Sequence, residues 1–512
     1  MTRSQELRTS YGAPSFQWSH LWGAAIVNPV NLKSYTIPIF NLRDPYARVF
    51  HLSWLGFFSA FLSWFAFPPL IPEAIKSDLK LTDVQVANSN VVALVATLVV
   101  RAGVGPLVDH YGPRKTMAGL LLLGAIPSGL AGTAHSAKTL YLLRFFIGIL
   151  GATFVPCQAW TSAFFDKSCV GAANALVGGW GSGGATFVIM TTLFRSLMNS
   201  FGASAHVAWR VAFVVVPVPI LLFVGTMVLI FGQDHPAGKW SERHNLPATT
   251  LAAQQGHEVI HDDITSSKKN TKDSEAIVTV QSVMEEEKTP IQPSVDVAVN
   301  ESLTLGTTVK IFLNPLTWLP ALAYLTTFGV ELAIDGTMAG VLFSLYSGKR
   351  PGFTQATAGY YTSIFGFLNI VTRPFGGYFG DVLYRSFGTK GKKIWTLLCG
   401  LIMGITLLVG GFYLQRHRVP GTAELTILMG VFSISAIFSE LGNGANFALV
   451  PHCNSYNNGV MSGLVGACGN LGGVIFSLVF RFQSQAGKAF WIMGVICLAI
   501  NTLLFTIPVP TL

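Results

Sequence analysis

Arg101 and Arg373 occupy equivalent positions in a frame that appears twice in the chain. Residues 101–109 read RAGVGPLVD and residues 373–381 read RPFGGYFGD, so glycine follows each arginine by four residues and aspartate by eight. Both arginines lie inside long apolar segments, where a charge at the bilayer centre costs at least ~2.5–3.5 kcal/mol. Two guanidinium groups facing one cavity repel each other unless an anion lies between them, and their planar fork suits a small planar oxyanion. The alternative is that a carboxylate or backbone carbonyl groups neutralise each arginine separately.

Three carboxylates and a third arginine also lie in apolar segments. Glu331 and Asp335 are four residues apart, which places both on one helix face, while Glu440 and Arg144 lie in two other segments. All four residues are candidates for proton coupling, since a carboxylate at this depth could carry a proton across the membrane. The alternative is an ion pair of Arg144 with Glu331 or Asp335 that holds helices together.

The composition is that of a polytopic membrane protein. Of the 512 residues, 51% are hydrophobic and 11% are charged, whereas a soluble protein carries about 25% charged residues. Loop lysines and arginines explain the net charge of +9 without nucleic-acid binding. The six cysteines form no CxxC pair, and the sequence contains no phosphate-binding loop and no nucleophile–base motif. We therefore expect no enzyme activity, no cofactor and no metal site.

Apolar runs long enough to cross a bilayer form two sets of six. The first set begins near residues 50, 84, 116, 140, 170 and 209, and the second near residues 316, 357, 393, 422, 459 and 488. A polar stretch that starts at Gly232 separates the two sets. We expect four parts: an N-terminal tail at 1–49, a six-helix half at 50–231, a long central loop at 232–315 and a second six-helix half at 316–512.

The two halves also match in their small residues. GATF at 151–154 corresponds to GANF at 444–447 in the fourth span of each half. In each fifth span a stripe of small residues advances by four, three and four positions: Gly171, Ala175, Gly178 and Ser182, and then Gly459, Gly463, Gly466 and Asn470. These steps place each stripe on one helix face, where small residues allow close helix packing. Two parallel six-helix repeats predict an all-α membrane protein with twelve transmembrane helices in two pseudo-symmetric halves, the major facilitator fold.

Clusters of basic residues predict the orientation. They follow the second and eighth spans: Arg114 and Lys115, and then Arg385, Lys390, Lys392 and Lys393. By the positive-inside rule both termini and the central loop are cytoplasmic. Eight helical residues, or about 12 Å, then separate each arginine of the frame from the cytoplasmic edge. That depth is close to the middle of a core ~30 Å thick.

The segment GPLVDHYGPRK at 105–115 resembles the loop motif of the major facilitator superfamily. This resemblance predicts that Asp109 and Arg114 latch helices together in one conformation rather than contact substrate.

The arginine frames, with GGWGSGG at 178–184 and GACGNLGG at 466–473, resemble the nitrate/nitrite porter family. The resemblance extends over all twelve spans, and the long central loop is similar to that of the fungal high-affinity nitrate transporters. It implies a nitrate site with two clamping arginines, flanking aromatic rings and a signature asparagine: Arg101, Arg373, Phe154, Phe447, Phe67 and Asn470. Ser182 stands where the first signature of the family usually has asparagine, and a hydroxyl reaches less far toward an anion.

The resemblance implies a carrier that imports nitrate and nitrite across the plasma membrane by proton symport with alternating access. Uptake against a negative-inside potential costs about 2.3 kcal/mol per charge per 100 mV, so a concentrative importer must bring at least two protons with each anion. The expected partners are nitrate, nitrite, protons and the lipid bilayer, without nucleic acid, and the carrier is expected to be monomeric.

Three alternatives stay open at this point. The first is a nitrate/nitrite antiporter of the same fold. The second is a nitrate sensor with vestigial transport, in which the central loop signals. The third is a carrier for a larger anion such as a carboxylate, which the closely approaching glycines disfavour because they leave little volume.

Overall fold

The computed structural model describes residues 14, 16–27, 32–166, 168–182, 184–241, 305–453 and 458–509. Most of the predicted central loop and part of the predicted N-terminal tail lie outside these residues, so the predicted domain boundaries stay predictions. Within the described residues the secondary structure is helical apart from isolated β-bridges.

Membrane-length helices dominate this part of the chain. By length and composition, nine helices of the described residues could cross a membrane. The longest, Gln355–Arg416, is two helices, because Gly388 breaks it with a φ of 63°. Pro45–Trp64 and the interrupted segment formed by Val170–Gly181 and Ala185–Asn199 bring the number of spans to twelve.

We label these spans in chain order. The first six are α1 (Pro45–Trp64), α2 (Asp83–Tyr111), α3 (Pro113–Gly129), α4 (Ala137–Phe164), α5 (Val170–Gly181 with Ala185–Asn199) and α6 (Ala205–Phe231). The second six are α7 (Pro315–Tyr346), α8 (355–387), α9 (389–416), α10 (Leu425–Cys453), α11 (Asn458–Phe482) and α12 (Ala486–Leu504). The prediction of twelve helices in two sets of six is confirmed.

Short polar side chains cap the starts of several spans. Asp44 accepts a hydrogen bond from the Tyr46 backbone N–H at 2.8 Å at the start of α1. Thr82 and Gln85 form a reciprocal capping box at the start of α2, and Thr354 forms one at the start of α8. Such bonds satisfy backbone N–H groups that have no partner inside the helix.

Glycine allows the tight connection between α2 and α3. Gly112 adopts a φ of 90°, a left-handed conformation that side chains disfavour. Pro113 follows at the first position of α3, where its fixed φ suits a helix start. The two helices are therefore joined by a single residue.

The two halves meet along two equivalent helix pairs, α2 with α11 and α5 with α8. A Cβ atom added to Gly105 would lie 2.8 Å from the carbonyl oxygen of Gly459, and one added to Gly377 would collide with the carbonyl oxygen of Gly171. The helices approach this closely because glycine has no side chain. Asp109 and Asp381 lie at the same end of the bundle, which we call the aspartate end.

Candidate functional site

Each arginine frame docks on the glycine stripe of the opposite half. Asp109 in α2 accepts hydrogen bonds from the backbone N–H groups of Gly459 and Val460 at the start of α11, at 3.2 and 3.0 Å. Asp381 in α8 accepts one from Ala172 near the start of α5 at 2.9 Å. A helix N-terminus carries partial positive charge and favours a carboxylate. The spacing of the frame then brings each arginine to the interior of the stripe.

Backbone carbonyl groups hold Arg101, which is fully buried. Its Nε donates to the Gly151 carbonyl at 2.8 Å and its Nη1 to the Gly466 carbonyl at 3.0 Å. Its Nη2 has no hydrogen-bond partner. In the part of the chain that the structure describes, no carboxylate pairs with Arg101. This guanidinium therefore presents an uncompensated charge and a donor to whatever enters beside it.

Arg373 has polar side-chain partners instead. Its Nη2 donates to the Tyr324 hydroxyl at 2.9 Å, and its Nη1 donates to the Ser182 hydroxyl at 3.4 Å. The same Nη1 lies 3.8 Å from Oε2 of Glu331. That distance is too long for a hydrogen bond, so Glu331 balances the charge of Arg373 without binding it tightly.

Two aromatic rings are shared by the guanidinium groups. The Phe154 ring centre lies 4.9 Å from Cζ of Arg101 and 5.6 Å from Cζ of Arg373. The Phe328 ring centre lies 5.2 and 5.8 Å from the same two atoms. A desolvated cation over an aromatic face gains about 2 kcal/mol or more. The two arginines thus converge on one pair of rings.

Further aromatic contacts fix these rings. Phe447 packs edge-on against Phe154, with ring centres 4.9 Å apart, and Phe328 stacks on Tyr324 at 4.8 Å. Sequence reasoning missed Tyr324 and Phe328. The available signal was their spacing, because Tyr324, Phe328, Glu331 and Asp335 advance by four, three and four positions along α7, as the glycine stripes do.

The glycines of the two stripes let the guanidinium groups and the facing helices approach closely. A Cβ atom on Gly178 would lie 3.0 Å from Nε of Arg373, and one on Gly466 would lie 3.4 Å from Nη1 of Arg101. Three further glycines pack against the frame backbone or its aspartates: Gly463 against the Arg101 carbonyl, Gly459 against Asp109, and Gly171 against Asp381. The absence of side chains at these glycines therefore permits both the close helix packing and the space for the guanidinium groups.

Asn470 is fully buried one helical turn from Gly466. Its Nδ2 donates at 3.0 Å to the Gly466 carbonyl, which also accepts from Arg101, and its Oδ1 has no partner. Asn470 therefore lies behind the carbonyl that holds Arg101. Ser182 lies at the break in α5, directly after Gly181, and its hydroxyl is beside Arg373.

Phe67 lies elsewhere, which corrects the expectation that it joins the rings of the anion site. Its ring centre is 5.1 Å from Cζ of Arg144 and 4.4 Å from the ring centre of Phe213. The reason is that the chain leaves the α1 helix after Trp64 and turns before Phe67. At the two central arginines, Phe328 takes the place expected for Phe67.

The three predicted carboxylates line one small cavity in the second half. Glu331, Asp335 and Glu440 surround a space of about 10 Å³, close to the minimum for one water molecule. Glu331 accepts hydrogen bonds from Asn369 at 2.6 Å and from Asn443 at 2.5 Å. No group of His, Cys, Asp or Glu within the described ranges is placed to bind a metal ion.

Arg144 does not form the ion pair that was one of its two predicted roles. Its Nη1 donates to the Ser89 hydroxyl at 2.6 Å and to Oδ1 of Asn90 at 2.5 Å. Glu331 pairs instead with Arg373 on the facing helix of its own half. The i, i+4 spacing on α7 places the acids on one face but does not determine which helix faces them.

Charged residues at the aspartate end bind helix ends, away from the central arginines. Nε of Arg114 donates to Asp234 at 2.8 Å, and its Nη1 donates to the Gly232 carbonyl just after α6 at 3.2 Å. Nζ of Lys392, fully buried, pairs with Asp381 at 2.8 Å.

The halves are also bonded at the opposite end of the bundle. Oε1 of Gln355 accepts from the backbone N–H groups of Glu73 and Ala74 at 2.6 and 2.9 Å. Arg481 in α11 donates to Asn88 in α2 at 2.6 Å. The two halves thus touch at both ends, and the central arginines between them are enclosed.

Comparison with known proteins identifies clear relatives. The family model described as the Major Facilitator Superfamily matches residues 53–477. High affinity nitrate transporter 2.5 of Arabidopsis thaliana is 31% identical over 473 residues, which cover 91% of this chain and 80% of the relative. Nitrate transporter 2.1 of Chlamydomonas reinhardtii is 31% identical, with 93% and 76% covered. Nitrate/nitrite transporter NrtP of Nostoc punctiforme is 26% identical, with 90% and 91% covered.

A solved structure shares the fold. The proton:xylose symporter XylE, bound to 6-bromo-6-deoxy-D-glucose, matches with a TM-score of 0.61 and covers 91% of this chain and 97% of its own. The sequence identity is 15%, so this similarity concerns the fold alone.

Proposed function

The chain belongs to the Major Facilitator Superfamily and, within it, to the nitrate/nitrite porter family, and we propose that it imports nitrate and nitrite across the plasma membrane by proton symport. The observation that carries the proposal is the pair of buried guanidinium groups that converge on Phe154 and Phe328. We place the aspartate end in the cytoplasm, since the basic clusters of the sequence lie there.

The charge of the site supports a monovalent anion. Arg101 and Arg373 contribute two positive charges, and Glu331 contributes one negative charge beside Arg373. The empty site then carries one net positive charge, and it carries the same net charge once Glu331 is protonated and one nitrate or nitrite is bound. The anion would lie between Nη2 of Arg101, which has no partner, and the donors of Arg373. A planar oxyanion matches two guanidinium forks and flat aromatic faces.

The glycines support a small substrate. A Cβ atom added to Gly178 or Gly466 would lie 3.0 or 3.4 Å from a guanidinium nitrogen, so little space separates the stripes from the two arginines. A carboxylate substrate with a carbon skeleton would require the helices to separate.

Glu331 supplies a physical route to proton coupling. Its carboxylate competes with an anion for the guanidinium of Arg373, from which it lies 3.8 Å. A proton on Glu331 removes that competition, so proton binding strengthens anion binding. By thermodynamic linkage the anion strengthens proton binding to the same degree. Such mutual reinforcement is the requirement for symport, whereas an antiporter requires its two ligands to exclude each other.

The other groups that face Glu331 fit this role. Asp335 on its own helix and Glu440 on α10 line the same cavity, and their charges favour a proton on one of the three acids. Tyr324 accepts from Nη2 of Arg373, whereas Glu331 lies near its Nη1, and Arg101 shares the Phe328 ring with Arg373. Three carboxylates provide enough sites for the two protons that concentrative uptake needs. Arg144 is not a proton carrier, because guanidinium does not lose its proton in proteins.

Alternating access would break the contacts at one end of the bundle at a time. Opening to the cytoplasm requires Asp109 and Asp381 to leave the starts of α11 and α5. Opening to the outside requires Gln355 to release the segment after α1. The arginine site lies between these two sets of contacts, as a rocking mechanism requires.

The test is uptake of isotopically labelled nitrate by the full chain in proteoliposomes. We expect an inward proton gradient to drive accumulation, and internal nitrite without a gradient to give no stimulation beyond that of internal nitrate. Uptake that ignores the gradient but is stimulated by internal nitrite would overturn symport in favour of exchange. An absence of nitrate and nitrite flux, with wild-type folding intact, would overturn the substrate assignment.

A further inference from the structure

Arg144 is a third buried guanidinium, and the mechanism above leaves it without a role. It lies in α4 seven residues from Gly151, about 10 Å along the helix, on the side away from the aspartate end. The side chain is 4% exposed, and its Nε has no hydrogen-bond partner. The ion pairs of the described segments do not include Arg144. A buried charge without a counter-charge costs several kcal/mol, so this arrangement favours an anion.

A cavity lies beside this guanidinium. It measures about 10 Å³ and is bounded by polar groups of Arg144, Asn90 and Ser477, with apolar side chains around them. The Phe67 ring covers the guanidinium at 5.1 Å. Like the central site, this cavity has a guanidinium, an aromatic face, a hydroxyl and an amide. Unlike the central site, it has no carboxylate in its lining.

Trp64 connects the two sites. It lines the Arg144 cavity, and its ring centre lies 6.0 Å from Cζ of Arg101. An anion that leaves Arg144 toward the aspartate end therefore meets Arg101 on the other side of one indole ring. Successive positive charges along such a path raise the local concentration of an anion.

A contact between the halves controls the size of this cavity. Nδ2 of Asn90 in α2 donates to the Gly336 carbonyl in α7 at 3.1 Å, while Oδ1 of the same Asn90 binds Arg144. Separation of the halves at this end would break the bond to Gly336 and widen the cavity beyond the space of one water molecule. Arg144 would then be exposed to the outside together with a freed amide.

We propose that Arg144, Asn90 and Ser477 form a second, outer site for a small planar oxyanion, which an incoming anion occupies before it reaches Arg101 and Arg373. The inference rests on the proposed function for the identity of the anion. It extends that function, because it assigns Arg144 to anion entry rather than to the proton pathway.

The experiment measures initial nitrate uptake into proteoliposomes against external nitrate concentration for the full chain. Arg144→Gln is expected to lower kcat/KM by about tenfold, within the range of electrostatic effects on association, with the saturating rate changed by less than about twofold. Arg144→Lys keeps the charge and should retain most of kcat/KM. Lys138→Gln, which removes an exposed charge at the start of α4, should leave both parameters at wild-type values.

A second variant keeps Arg144 in place. Ser89→Asp puts a carboxylate beside the guanidinium, leaves the bond of Asn90 to Gly336 in place, and should lower kcat/KM as much as Arg144→Gln does, because the outer site is then neutral. If Arg144 were purely structural, the introduced carboxylate would satisfy its charge better than the hydroxyl does, and kcat/KM would stay the same or rise. Unchanged kinetics in both variants, or a fall of the saturating rate at constant KM, would overturn the outer site.

Failure of the proposed function would look different. If wild-type protein moved another small planar oxyanion, such as bicarbonate, instead of nitrate, the same variants would be compared with bicarbonate as the probe. A selective loss of kcat/KM in Arg144→Gln would then support the outer site while the nitrate assignment failed. Equal kinetics of wild type and Arg144→Gln with every transported anion would overturn the outer site alone.

Discussion

Arg101 and Arg373 occupy the same place in two repeats, but their surroundings differ in charge. Carbonyl groups of Gly151 and Gly466 hold Arg101, whereas Arg373 has a carboxylate, Glu331, at 3.8 Å. In the symport that we propose, this asymmetry would let one arginine attract the anion permanently and the other respond to a proton. A symmetric pair would bind an anion but would have no means of sensing protonation.

The first prediction at this scale concerns Glu331→Gln. Glutamine is neutral, so the variant imitates the protonated carrier and Arg373 stays available to the anion at every pH. We expect stimulation of nitrate uptake by an inward proton gradient to fall by at least about fivefold, the lower end of typical coupling between sites. Exchange of internal for external nitrate should remain measurable.

Glu331→Asp is the matched control because it retains a titratable group, and it should keep part of the gradient response. Gradient stimulation of wild-type size in Glu331→Gln would exclude Glu331 as the coupling residue and leave Asp335 and Glu440 as candidates.

The second prediction concerns Gly178. A methyl group there would lie 3.0 Å from Nε of Arg373 and 3.2 Å from Nε2 of Gln158, so it is confined on two sides. Overpacking of this kind costs about 1–3 kcal/mol, and in Gly178→Ala we expect the half-saturating nitrate concentration to rise by at least about fivefold. Gly103→Ala is the control, because no atom lies within 4 Å of its added Cβ. Equal half-saturating nitrate concentrations in Gly178→Ala and Gly103→Ala would mean that Gly178 contributes to helix packing alone.

At the scale of elements, the frame and the stripe form one docking unit. Arginine, glycine and aspartate recur every four residues on one face of α2 and of α8, and this face contacts the glycine stripes of α11 and α5. The same face thus holds the substrate site and the contacts that must open. A shift of one helix pair necessarily moves its arginine.

A prediction for these contacts uses Asp381 and Lys392. Both side chains are buried, and they pair at 2.8 Å. Asp381→Asn leaves the lysine charge uncompensated, which costs about 3–5 kcal/mol, so the melting temperature of the purified protein should fall clearly. Addition of Lys392→Met should restore most of the loss, since it removes the unpaired charge. A double variant that is no more stable than Asp381→Asn would show that the pair is not the source of the effect.

A prediction for the opposite end uses Asp78, which joins the segment after α1 to α6. Its carboxylate contacts His206 at 2.6 Å, Trp209 at 2.8 Å and Arg210. Burial alone would raise the pKa of Asp78, but the hydrogen bonds from these three residues and the charge of Arg210 lower it below its usual value of 3.8. The ionised Asp78 carboxylate therefore stabilises the folded protein fully above pH 3.8. This stabilisation is lost as the pH falls through the lower pKa that Asp78 has in the folded protein.

Thermal unfolding between about pH 7 and pH 3 checks this prediction. Asp78→Asn should be less stable than wild type at neutral pH, and the difference between them should shrink only at the acidic end of the range. A difference that shrinks already between about pH 7 and pH 5 would contradict the lowered pKa.

The sequence predicts most of the elements because apolar length is a local property. Expected span starts such as those near residues 84, 170 and 316 lie beside Asp83, Val170 and Pro315 in the structure. The partners across helices were harder to predict. Glu331 pairs with Arg373 rather than with Arg144, and Phe328 rather than Phe67 joins the central rings. Which residues become partners depends on the rotation of each helix about its axis and on the turn after α1. The hydrophobic periodicity of the sequence encodes neither of these.

At the scale of the whole molecule, the proposed transport cycle uses an anion site, a carboxylate cavity and two sets of end contacts. Contacts at both ends enclose the arginines in this conformation. Transport requires one set to open while the other holds. In the proposed mechanism, mutual reinforcement of anion and proton at Arg373 and Glu331 would favour movement with both bound.

The most direct test of the central claim is labelled nitrate uptake into proteoliposomes by wild type and Arg373→Lys, with and without an inward proton gradient. Lysine keeps the charge but loses the planar fork, so we expect the half-saturating nitrate concentration to rise by at least about tenfold, while wild-type uptake depends on the gradient. A wild-type affinity in Arg373→Lys would contradict the clamp between the two arginines. Gradient-independent accumulation by the wild type would contradict the coupling.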